Sequence, residues 1–109
     1  MTESPNPFLI VWEFYPKPDQ VARFEAVYGA DGDWAQLFSQ ASGYLKTELI
    51  QDEQDLNRYL VLDYWETSDA YDAFKRDFKT PYDALDQTCE ALTQKERFIG
   101  HFRFLPLSV

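Results

Sequence analysis

The stretch Phe8-Leu9-Ile10-Val11-Trp12-Glu13-Phe14-Tyr15 is made of β-branched, aromatic and long aliphatic residues around a single charge, and Pro16 and Pro18 close it. That is the composition of a strand with a hard stop. Its apolar residues do not alternate with polar ones. Phe8, Ile10, Trp12 and Phe14 share one parity, while Leu9, Val11 and Tyr15 share the other. Arg58 to Glu66 repeats the pattern, with Tyr59, Val61 and Trp65 opposite Leu60, Leu62 and Tyr64. Side chains alternate between the two faces of a sheet, so both faces of these strands need cover.

Working outward, Pro18-Asp19 opens a helix with Val21, Phe24, Val27 and Tyr28 at spacings of three and four. Gly29, Asp31 and Gly32 interrupt it, and Asp33 is the expected N-cap of a second short helix carrying Trp34, Leu37, Phe38 and Ala41. After the Ser42-Gly43 turn, Tyr44 to Gln51 alternates Leu45-Thr47-Leu49 with Tyr44-Lys46-Glu48 and pairs with Arg58 to Glu66 as a long-looped hairpin. Thr67 or Ser68 caps a helix with the stripe Tyr71, Phe74 and Phe78; Thr80-Pro81 is the expected start of the next, striped by Tyr82, Leu85, Cys89 and Leu92. Arg97 to Leu105 is expected as the last strand, with Phe98, Gly100, Phe102 and Phe104 on one face and Arg97, Ile99, His101 and Arg103 on the other.

Strand, helix, strand, strand, helix, strand is the split βαβ, ferredoxin-like α+β arrangement. Right-handed crossovers place the helices on one face of a four-stranded antiparallel sheet. The chain has no elements left for the other face. A second copy packed sheet to sheet would cover it, and a two-fold homodimer is expected. Self-burial by strand curl is the alternative.

The 109 residues suit one domain, here 8–109 behind an extended arm of residues 1–7. Hydrophobic residues reach 45% and aromatics 17%, which excludes a disordered or collagenous chain. A net charge of −9 and a pI near 4.4 repel phosphate backbones and anionic lipid, so neither nucleic acid nor membrane is an expected partner. One cysteine excludes an internal disulfide framework. With no basic or apolar leader at Met1 to Pro5, a cytoplasmic location is expected. No CxxC, HExxH, GxGxxG or P-loop motif supports a metal, dinucleotide or nucleotide reading.

Phe24-Glu25-Ala26-Val27-Tyr28-Gly29, Trp34-Ala35, Leu37-Phe38 and Gly43-Tyr44-Leu45, followed by Arg58 to Glu66, Tyr71 and Phe74, resemble the antibiotic biosynthesis monooxygenase family. The resemblance implies a dimeric α/β barrel and cofactor-free oxygenation of an electron-rich polycyclic phenol, anthrone or quinol. A deprotonated substrate would react directly with O2, with neither metal nor flavin. Such chemistry needs an enclosed apolar cavity, oxyanion donors and a base.

By resemblance, Trp65 is the pocket indole donor; otherwise it is a core aromatic. Tyr71 is a proton donor or shuttle, or one member of its helical stripe. His101 and Asp63 are the rival bases, His101 for its near-neutral pKa and Asp63 for the raised pKa of a half-buried carboxyl. Their alternatives are a salt-bridged strand face and an ion pair with Arg58, Arg97 or Arg103. Trp12, Phe24, Trp34, Phe38, Val61 and Phe74 are expected around the substrate.

Two departures from the family pattern matter. Its oxygenases carry an Asn four residues before the Trp, where this chain has Val61, and its haem-degrading branch needs a His on the following helix, where Thr67 to Phe78 has none. The competing reading is a non-catalytic dimeric module that binds a small ligand or pairs chains.

Overall fold

The computed structural model describes residues 7–105, so all of the expected N-terminal arm except Pro7 lies outside the described residues. The elements are β1 (Phe8–Pro16), α1 (Val21–Tyr28), α2 (Asp33–Phe38), β2 (Tyr44–Gln51), β3 (Tyr59–Trp65), α3 (Ser68–Asp77), α4 (Lys79–Cys89) and β4 (Thr93–Arg103). The strands form one antiparallel sheet in the order β2-β3-β1-β4, the ferredoxin-like topology expected from the element order.

The inner face of the sheet carries the helices. Phe14 packs on Phe24 and Tyr28 of α1, and Trp65 packs on Phe38 of α2 and on Tyr71 and Phe74 of α3. Phe24 and Trp65 are 0% exposed and Phe74 is 1% exposed. Aromatic rings thus dominate the core, consistent with their large buried area. Gly43 opens β2 at φ +91°, where a Cβ would stand 2.6 Å from that of Ala70. Glycine is required at this crossing of β2 and α3.

Several expected boundaries need correction. Gly32 occupies the N-cap position of α2, and Asp33 is its first helical residue; the helix ends at Phe38, short of Ala41. Helix α4 starts at Lys79, with Phe78 as both the C-cap of α3 and the N-cap of α4, so Thr80 and Pro81 lie inside the first turn. Proline is tolerated there because the first four helical N–H groups have no intrahelical acceptor. Thr67 does cap α3, its side chain accepting from the Ala70 N–H at 3.1 Å.

Strand β4 begins four residues early and contains a bulge. Val11 pairs with Gly100 but Trp12 pairs with Phe98, leaving Ile99 as an extra residue. The bulge shifts the phase of the strand. His101 pairs with Ile10 and Phe98 with Trp12, so both lie on the inner face, whereas Arg97, Gly100 and Phe102 pair with Glu13, Val11 and Leu9 on the outer face. The expected grouping of His101 with Arg97 and Ile99, and of Phe98 with Gly100 and Phe102, is therefore wrong.

The helices leave the outer face uncovered; there the Phe104 ring stacks on Tyr64, with ring centroids 6.0 Å apart. Leu9, Val11, Leu60 and Leu62 occupy its centre, with Ile50 and Phe102 47% and 46% exposed on either side. At one end Glu13 is only 3% exposed although it sits on this face. Its carboxylate accepts from Arg58 Nε at 2.6 Å and Arg97 Nε at 3.0 Å, and the two guanidinium groups hold its pKa below the usual carboxylate range. These are the charge-assisted bonds that a buried carboxylate needs.

Candidate functional site

A cavity of about 340 Å³ lies between the inner face and the helices. Strand residues Ile10, Trp12, Phe14, Val61 and Asp63 form its floor. Tyr28, Trp34, Phe38 and Tyr71 supply its aromatic walls, with the Trp34 and Phe38 rings packed together at 5.7 Å. Lys75, Tyr82, Asp86 and Glu96 complete the lining. The walls are mostly aromatic with a few polar groups, the composition typical of small-molecule sites.

Asp63 is the buried polar group of the floor, 6% exposed, and its inward direction follows from its place between Val61 and Trp65 on β3. Thr47 of β2, directly opposite in the hairpin, donates from Oγ1 to Asp63 Oδ1 at 2.7 Å. The Thr47 hydroxyl lies in turn 2.8 Å from that of Tyr44. Burial raises the Asp63 pKa from 3.8 to about 7, with the Thr47 hydrogen bond opposing the shift. No ion pair joins Asp63 to Arg58, Arg97 or Arg103 among the described residues: Arg58 and Arg97 bind Glu13 on the other side of the sheet. Desolvation without a cation is what carries a carboxyl towards neutrality.

Tyr71 reaches the cavity from α3, and its hydroxyl is set against that of Tyr82 on α4. Burial raises the pKa of both phenols, that of Tyr82 to about 12, so both are O–H donors at neutral pH. The Lys75 ammonium lies 4.2 Å from the Tyr82 ring centroid and 5.8 Å from that of Tyr71, close enough for cation–π attraction.

The residues singled out from sequence divide into two shells. Asp63, Tyr71, Trp12, Trp34, Phe38 and Val61 line the cavity. Trp65, Phe24 and Phe74 stand behind its wall: Phe38 and Tyr71 both pack on Trp65, at ring-centroid distances of 5.6 and 5.5 Å. The buried Trp65 indole N–H has no hydrogen-bond acceptor among the described residues. An orphan donor of this kind is uncommon in a protein core. His101 is exposed and packs on Phe8, Phe98 and Tyr71 outside the lining. Asp63 and His101 are thus not neighbours in one site.

Sequence reasoning missed Thr47, Tyr44, Tyr82, Asp86 and Glu96. Thr47 left a trace. It interrupts an otherwise apolar parity of β2, as Asp63 interrupts that of β3, and hairpin pairing sets the two opposite one another. Tyr82 lay on the expected apolar stripe of α4, whereas Asp86 and Glu96 left no trace; Glu96 fell outside the strand expected from Arg97, although β4 begins at Thr93.

Among the described residues, no helix is long and apolar enough to cross a membrane. No curated protein matches the sequence. Solved structures share the fold at low identity. SnoaB from Streptomyces nogalater, a cofactor-independent oxygenase, superimposes with a TM-score of 0.66 at 22% identity, covering 95% of this chain and 96% of its own. A Pseudomonas aeruginosa protein gives a TM-score of 0.61 at 16% identity over 99% and 98% of the two chains. A Shewanella oneidensis protein gives 0.61 at 16% over 94% and 95%. The sequence model of antibiotic biosynthesis monooxygenases matches residues 7–77, from the start of β1 to the end of α3, and so takes in both strands that meet at Asp63. The chain belongs to the antibiotic biosynthesis monooxygenase family.

Proposed function

We propose that the chain is a cofactor-independent monooxygenase that uses O2 on an electron-rich aromatic substrate, a phenol, anthrone or quinol, inside the cavity floored by Asp63. The observation that carries the reading is a buried carboxyl, poised near neutrality, facing an aromatic-walled space. A general base works best when its pKa lies near the working pH. Asp63 takes the substrate's acidic proton, and the Tyr71 and Tyr82 hydroxyls donate to the resulting oxyanion. The electron-rich carbanion or phenolate then reduces O2 to a peroxide anion, which takes up one proton to become the hydroperoxide; loss of water leaves the oxidised carbonyl. The substrate supplies all the electrons. His101, exposed and outside the lining, is the weaker candidate base.

Oxygen uptake with a panel of anthrones and hydroquinones, without added metal or flavin, tests this reading. Uptake above autoxidation that falls in Asp63→Asn supports it; a wild-type rate equal to autoxidation ends it. Val61 favours the second reading, a non-catalytic ligand-binding module, because an apolar side chain stands on the cavity wall where the family's oxygenases have an amide. Saturable binding of a hydroquinone without oxygen uptake is the outcome that selects it.

The outer face supports assembly as a homodimer, two sheets meeting through Leu9, Val11, Leu60, Leu62 and Phe102. A large exposed apolar patch on a small domain is otherwise unfavourable. Light scattering at micromolar concentration should give twice the chain mass of 12.8 kDa. A single-chain mass would remove the dimer.

A further inference from the structure

The hydrogen-bond chain behind Asp63 leaves the cavity through its floor. Thr47 Oγ1 is 2.7 Å from Asp63 Oδ1, and the Tyr44 hydroxyl is 2.8 Å from Thr47 Oγ1. Neither Thr47 nor Tyr44 lines the cavity. Both line a separate open groove of about 640 Å³ between α2 and β2, with Asp31, Gln36, Lys46 and Glu48 around them. Thr47 is only 2% exposed, so its hydroxyl links one compartment to the other. A threonine hydroxyl has one proton to donate and two lone pairs to accept with, so this chain is complete in either direction.

We propose that Asp63, Thr47 and Tyr44 form a proton path between the cavity and the groove, which exports the substrate's proton and returns one to the peroxide. With Asp63 ionised, Tyr44 donates to Thr47 and Thr47 donates to Asp63. When Asp63 accepts a proton from substrate on the oxygen facing the cavity, a half-turn of the carboxyl presents that proton to Thr47. Both bonds then reverse: Asp63 donates to Thr47 and Thr47 donates to Tyr44, while Tyr44 releases its own proton to water in the groove. The peroxide anion left in the cavity then needs one proton, and the same chain run in the opposite direction returns it from the groove, so turnover releases no net proton. Thr47 and Tyr44 act through Asp63 and are positioning residues. The inference rests on the oxygenase reading for its use in turnover, but the path itself does not require activity.

Two measurements test it. The first follows the ¹³C shift of Asp63 Cγ against pH in ligand-free protein. It is read at that atom because Tyr28, Tyr71, Lys75, Tyr82, Asp86 and Glu96 also face the cavity. Thr47→Val should move the Asp63 titration upward, since the bond that favours the ionised form is gone. Tyr44→Phe should move it less in the same direction, and Thr47→Ser should restore it. A titration unmoved by Thr47→Val overturns the path, whether or not the protein consumes oxygen.

The second measurement is oxygen uptake. Thr47→Val and Tyr44→Phe should each lower kcat about tenfold with KM little changed and with a larger solvent isotope effect, and Thr47→Ser should recover kcat. Unchanged kcat and isotope effect in Tyr44→Phe overturn the path even when wild-type activity upholds the oxygenase. If wild type only matches autoxidation, the oxygenase reading falls, and the titration alone decides the path.

Discussion

Asp63→Asn should abolish turnover and stabilise the protein in the same stroke. Loss of a general base costs about 10²–10⁴ in kcat. The amide still accepts from Thr47, so the hairpin contact survives. The effect on stability follows from the raised pKa. Unfolded Asp63 ionises near 3.8, whereas the folded group holds its proton to about pH 7. Between those values the native state binds more protons than the unfolded chain, so stability falls as pH rises and levels off above pH 7. The full shift of about 3 pH units corresponds to at most about 4 kcal/mol, an upper bound for one buried group. Urea unfolding at pH 8 should place Asp63→Asn above wild type by about 1–4 kcal/mol, and the gap should close towards pH 4. A variant that loses activity without gaining stability at pH 8 would mean that the carboxyl is not held near neutrality. Glu13 has the opposite sign. Its lowered pKa stabilises the fold above about pH 4.5, and that contribution is lost on further acidification.

The second large effect belongs to Trp65. Truncation to alanine removes an indole that is 0% exposed and touches Phe38, Tyr44, Tyr71 and Phe74. Trp65→Ala should cost about 3–5 kcal/mol, a large part of the 5–15 kcal/mol that usually separates folded from unfolded states. Its urea midpoint should drop accordingly. Trp65→Phe separates packing from hydrogen bonding. Removing a buried donor that has no acceptor costs nothing in hydrogen bonds, so the loss should be that of the smaller ring alone, about 1–3 kcal/mol and well below that of Trp65→Ala. A tenfold fall in oxygen uptake in that stable variant would assign the N–H a role towards substrate. Equal rates would leave Trp65 as a core residue behind the cavity.

The strands β1 and β3 could be read from sequence because hydrophobicity on both parities leaves no phase to get wrong. The hairpin partner β2 was bounded to the residue, since Gly43 and Gln51 mark real ends. Strand β4 was harder: either of its phases offers aromatic or aliphatic residues, so alternation could not reveal Ile99 as the extra residue. The start of α4 was misread because Thr80-Pro81 satisfies the chemistry of a cap and equally that of a first turn. For the site, the residues on β3 and α3 carried a visible signal, a carboxylate within an apolar run and a tyrosine on the stripe that follows. Asp86 and Glu96 depend on how α4 and β4 approach each other, which no local pattern encodes.

The additional residue in β4 makes that strand two reading frames joined end to end. At Glu96 and Phe98 even-numbered side chains turn towards the helices; at His101 and Arg103 odd-numbered ones do. Deleting Ile99 would merge the two frames into one: Phe98 would still meet Trp12, Gly100 Val11 and His101 Ile10, so every later side chain would keep its face. The scaffold can therefore gain or lose that one residue without exchanging which side chains of its final strand look towards the helices.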